Sequence, residues 1–236
     1  VDRGLDFIRQ MKEVLLAQDP GQMPLPGHDR LVEVIAKAEA SLDTDGQLAA
    51  SFRNAGNVIV PSVFTLGQAQ GRADTPLPEY AAASALDENR GFSLPASKGQ
   101  WPMASLGAAA AGLGHLNQLQ DVDGAVRQEP LLVNYDGKAV PSMALLAAMK
   151  SLNLNMSDIR LQAGESVQVG KLRIKTDASA LMLPQFYPAR DGKTAFAVDS
   201  FFDVLSGTIP AAKYAGKVVV IGATAAGVGT QFPVPG

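Results

Sequence analysis

Two histidines, His28 and His115, are the only imidazoles in the chain, and cysteine is absent. Disulfides, thiolate metal sites and cysteine nucleophiles are thereby excluded, and neither histidine belongs to a spaced ligand cluster such as HExxH. His115 stands in a polar group inside an otherwise apolar run, with Asn117 two residues on and then Asp121 and Arg127. An imidazole, an amide and a guanidinium facing one cleft would hold a small ligand, Arg127 complementing an acidic one through its planar fork. The plainer reading is that His115 and Asn117 satisfy strand ends while Arg127 pairs locally with Asp123. No nucleophile stands in a readable relation to either histidine, and residue order alone does not certify a Ser-His-Asp triad. Catalysis is not expected, and no metal or cofactor is called for.

Two glycine-bearing stretches invite sharper readings. VVVIGATAAGVGT at 218–230 puts a glycine-rich loop directly after an apolar run, where backbone amides and the Thr224 hydroxyl would meet an anion. It lacks the Lys-Ser/Thr ending of a phosphate loop and the GxGxxG spacing of a dinucleotide fold, so a tight turn is the simpler expectation. Asp121, Asp123 and Gly124 resemble the opening of a calcium loop, but Ala125 and Leu132 stand where later oxygen ligands belong. An ordinary strand connection is expected there. Trp101 and Met103 offer an apolar recognition surface or, more plainly, core packing.

The elements that must position these residues follow from periodicity. Leu5, Ile8, Met11, Leu15 and Leu16 recur at helical spacing, giving a helix over 5–17 that Pro20 and Gly21 end. Further helices are expected over 29–41 and 45–55, the latter capped by Thr44 and stopped by Gly56. The run 57–66 is β-branched and apolar on both faces, as in a strand covered on two sides, and Pro61 in it predicts a bulge or a local edge. Residues 67–100 form a long excursion with a short helix at 78–86. A helix is expected from Trp101 to Leu113, strands over 114–119 and 125–135, and turns at the Asp-Gly pairs beginning at 123 and 136. Then come a helix over 141–152, a hairpin over 167–176 turning at Gly170-Lys171, a strand over 181–186 and a short helix over 199–205. KVVVI at 217–221 is the strongest buried-strand signal, so residues 218–221 are expected inside the sheet with helices on both faces.

These elements predict an α/β fold: one mixed, largely buried sheet with helices packed on both faces, plus a small hairpin-rich excursion, in a single domain over 1–236. With 236 residues and 47% hydrophobic content the chain can bury a proper core. Acids outnumber bases by 23 to 20, so no basic field exists for nucleic acid. The most apolar stretch, 106–116, holds three glycines and a histidine and falls short of the ~20 residues of a bilayer span. The opening residues carry no signal-peptide pattern, and the chain reads as a soluble segment excised from a longer one.

The segments GHLN at 114–117, DVDGAVR at 121–127 and VPSM at 140–143 precede a denser closing block. That block is DSFFDVLSG at 199–207, IP at 209–210, GKVVVIGATA at 216–225 and GVG at 227–229. In this order and spacing they resemble the CHASE type-two family, the extracytoplasmic sensory domains of bacterial adenylate cyclases, serine/threonine kinases and histidine kinases. The resemblance covers most of residues 101–230. It implies a ligand-sensing, non-enzymatic domain on the outer face of a plasma or inner membrane, anchored only through flanking transmembrane helices outside this chain. It also implies an earlier strand and helix, and an Asp-containing second strand, ahead of Asp2-Arg3. It names no ligand. His115, Asn117, Arg127 and Thr224 are the expected contacts for an unknown small molecule, and a homodimer is an expected assembly. The alternatives are a structural dimerisation module, with a large apolar interface and no pocket, or a small α/β hydrolase with a cleft of perturbed acids and bases.

Overall fold

A computed structural model of the chain describes residues 3–17, 27–68, 75–87, 94–162, 164–188, 195–223 and 233–234. Three helices come first: α1 (Arg3–Leu16), α2 (His28–Leu42) and α3 (Thr44–Ala55). Helices α1 and α2 pack on one another, each with one buried apolar residue, Leu5 and Ile35, and the Glu39 carboxylate takes a 2.6 Å hydrogen bond from Lys12 across the pair. The cap of α3 is Asp43 and not Thr44: the Asp43 carboxylate accepts from the Gly46 amide at 3.1 Å, and Thr44 has become the first helical residue. Gly56 stops the helix in the left-handed conformation at φ 65°.

Strand β1 (Ile59–Leu66), the short helix α4 (Glu79–Ala82), β2 (Ala96–Gln100), α5 (Ala104–Ala109) and β3 (Gly112–His115) build the layer that carries His115. The strand order is β2-β1-β3, with β1 antiparallel to β2 and parallel to β3. Pro61 lies where β1 pairs only with β3, since its ladder to β2 begins at Val63, so the missing amide costs no hydrogen bond. The helix expected through Leu113 ends at Ala109. Gly112 and Gly114 allow the chain to turn directly into a strand: a Cβ at Gly114 would lie 2.6 Å from the Met143 backbone, an approach that only glycine permits.

After β3 come β4 (Leu119–Gln120), β5 (Val126–Pro130), β6 (Leu132–Tyr135), β7 (Lys138–Pro141) and α6 (Met143–Ser151). The single strand expected over 125–135 is divided at Leu131: β5 ends at Pro130 and joins β4, and β6 pairs with β7. Asp136 and Gly137, both at positive φ, make the β6–β7 turn, as the Asp-Gly signal requires. The hairpin β9 (Ser166–Val169) and β10 (Leu172–Lys175) turns at Gly170-Lys171 and extends β8 (Ile159–Gln162) into a three-stranded sheet. The expected strand over 181–186 is reduced to β11 (Leu181–Met182), and α7 covers Phe201–Leu205.

The α/β class holds, but the sheet is divided into small sheets of two and three strands. The largest buried cluster unites Leu131, Leu132, Leu145, Leu146 and Met149 with Val167 and Val169, so α6 joins the β8–β10 sheet to the β6–β7 hairpin. A second gathers Phe64, Tyr135 and Val140 with Trp101, and a third places Val60 and Leu113 against α4. Trp101 is thus a core side chain, 5.3 Å edge-on to Phe64 and 5.6 Å from Tyr135.

The clearest departure concerns 218–221. These residues form no strand, and Val219 and Val220 are 50% and 79% exposed. A run of β-branched residues records a demand for cover on both faces, and no strand among the described residues lies beside it to meet that demand.

Candidate functional site

His115 ends β3 in a fully buried position, its ring edge-on to Phe64 at 6.4 Å. The Asn117 backbone N–H donates to Nδ1 at 3.3 Å, which assigns the ring proton to Nε2. That Nε2–H has no partner among the described residues. Burial drives the imidazole pKa down to about 3, so the ring is neutral at any physiological pH. Ser62 and Ser142, its neighbours across the parallel pairings, donate to the Gly114 carbonyl and cap α6 respectively, so neither hydroxyl is activated by the histidine.

Asn117 performs a structural task beside it. Its Oδ1 accepts from the Phe64 amide at 2.9 Å and its Nδ2 donates to the Phe64 carbonyl at 2.6 Å. The side chain thereby continues the ladder along β1 after β3 has ended, which explains a buried amide at this position.

Arg127 faces outward from β5. Its guanidinium donates to Asp121 at 2.6 Å and to both carboxylate oxygens of Asp123 at 2.9 and 2.7 Å. These bonds hold the Asp123 carboxyl far below the usual carboxylate range, and they raise the arginine in return. A cation at the Asp121-Asp123 turn would have to displace the arginine, which leaves the turn an ordinary connection with Gly124 at φ 80°. His115 and Asn117 are therefore together in the core, Arg127 is engaged at the surface, and Thr224 lies outside the described residues. Among the described residues no group of three acids or histidines is arranged to hold a metal.

Two features carried no sequence signal. Glu129 on β5 pairs in register with Met182 of β11, and partial burial raises its carboxyl pKa to about 7. The second is a hollow of about 330 Å³ at the other end of the β1–β3 layer, where both parallel strands begin. Ile59, Leu146, Met149, Leu154 and Met156 make its apolar wall, and Lys150 stands at its rim. It draws residues from β1, the α4 region, β3, α6 and the turn after α6, so no single motif announces it.

A family model described as the CHASE2 domain matches residues 4–236. No curated protein and no solved structure matches.

Proposed function

The chain belongs to the CHASE2 domain family, sensory domains of extracytoplasmic receptors in bacterial signal transduction, and on that basis we propose that it senses a small molecule outside the cytoplasm and passes the stimulus to a cytoplasmic kinase or cyclase. The family match over residues 4–236 is the observation that carries this reading. The geometry is compatible with it. The ligand-sized hollow sits between elements, where occupancy would bias how α6 and the β8–β10 sheet rest on β1 and β3.

The test uses the full receptor that carries this domain. Gly114→Val forces a side chain into the Met143 backbone and disrupts the layer around β3 without touching a cytoplasmic residue. Kinase or cyclase output per receptor in the membrane is then compared with wild type. A changed output, or loss of its response to stimulus, supports the relay. Unchanged output from a receptor whose outer domain is shown to be unfolded by limited proteolysis overturns it.

A further inference from the structure

The geometry points to the hollow at the start of β1 and β3 as a binding site for a small amphiphile bearing one carboxylate or similar anionic head. The site rests on the sensory reading for its purpose, though its geometry stands apart from that reading. Its volume of about 330 Å³ is that of a site for a metabolite-sized molecule. Leu146, Met149, Leu154 and Met156 supply the apolar part of a lining they share with Ser84, Asn155 and Ser157, and two of the four are methionines, whose unbranched thioethers adapt to varied shapes. Among the described residues no acid lines the hollow. Lys150 is the charged residue of its lining and makes no ion pair within 4.0 Å with a described carboxylate, so an anion there would meet an available ammonium.

The hollow is also placed to transmit occupancy. Leu154 packs against the Gly170 turn of β9–β10, within 3.1 Å of where a Cβ on that glycine would be. Met156 packs against the main core cluster. A ligand filling the space would therefore brace the turn after α6, and with it the β8–β10 sheet, on the ends of β1 and β3.

Octanoate is the probe, read by the methyl NMR signals of methionine in the isolated chain. Titration to about 10 mM is expected to shift Met149 and Met156 and to leave Met103, exposed on another part of the layer, unchanged. Lys150→Gln is expected to weaken binding about tenfold, and octanol to bind weaker than octanoate by a similar factor. Gly112→Ala narrows the hollow while its new methyl meets Leu146 and Ser84 at an ordinary 3.6 Å, so the chain folds and octanoate binding falls. Silent Met149 and Met156 signals overturn the site, as does octanoate binding that Lys150→Gln leaves unchanged or tighter binding of octylammonium. Those failures concern the hollow alone, because the relay is judged by receptor output with Gly114→Val.

Discussion

Two titrating groups, His115 fully buried and Glu129 partly so, pull the stability of this domain in opposite directions with pH. His115 ordinarily titrates at 6.5 but is held down to about 3 in the fold. Below pH 6.5 the unfolded chain takes up a proton that the folded chain refuses, so this contribution is full above 6.5 and is lost as pH falls. The loss is about 1.4 kcal/mol per pH unit, about 5 kcal/mol in all by pH 3. Glu129 has the reverse sign. Its ordinary value of 4.5 is raised to about 7, so the folded state binds the extra proton. Its contribution is full below 4.5 and is lost as pH rises toward 7, by at most about 1.4 kcal/mol per unit and less where water still reaches the carboxyl. Between pH 4.5 and 6.5 the two slopes oppose, and the wild-type protein should show a shallow plateau that breaks downward below 4.5.

Single substitutions separate the terms. Glu129→Gln should leave the histidine slope alone, so stability falls by about 3 kcal/mol from pH 6.5 to 4.5. His115→Asn keeps an acceptor for the Asn117 amide while removing the imidazole, and stability should then rise as pH falls across the same window. Its lower baseline, from lost packing, does not affect the slope. Urea unfolding at half-unit pH intervals is followed by fluorescence of Trp101, the single tryptophan, which packs against Phe64 and Tyr135 in the core. Parallel pH profiles for wild type, Glu129→Gln and His115→Asn would refute the reasoning.

Asn117→Ala strips both partners from the buried Phe64 backbone and should cost about 2–4 kcal/mol in the same urea assay; a change under about 0.5 kcal/mol would remove the structural role given to this amide. Arg127→Ala breaks exposed ion pairs only and should cost no more than about 1 kcal/mol at moderate salt, so a larger loss in urea unfolding would contradict its placement. Val219→Asp alters an exposed, unpaired apolar run, and light scattering should show less aggregation while unfolding free energy moves by no more than about 0.5 kcal/mol.

Local signals were legible where one residue decides the backbone. Gly56, the Asp136-Gly137 turn and the Gly170-Lys171 hairpin are written in chain chemistry that needs no distant partner. The helices α1 to α3 were readable for the same reason, their apolar spacing being intrinsic. The limit shows at Gly112 to His115, whose two glycines favour neither helix nor strand; the close approach of the Met143 backbone to Gly114 goes with the strand, and that contact joins residues about thirty positions apart. Val218 to Ile221 fail for the converse reason, since apolar content states what a strand needs and not whether a neighbour is there to supply it. In the candidate site, Arg127 with Asp123 was readable from their spacing of four, and His115 with Asn117 as strand-end groups. The hollow was not, because Ile59, Gly112, Met149 and Met156 converge only through tertiary packing.

The side of the membrane on which residues 4–236 lie decides the sensory reading most directly. The chain has no cysteine, so Val122→Cys in the full receptor, at a fully exposed position in the turn after β4, creates a unique thiol within this domain. A membrane-impermeant maleimide applied to intact spheroplasts, followed by proteolytic mapping of the label to this domain, reports its location. Labelling of the introduced thiol to the same extent before and after lysis is predicted; labelling only after lysis would place the domain in the cytoplasm and contradict the account.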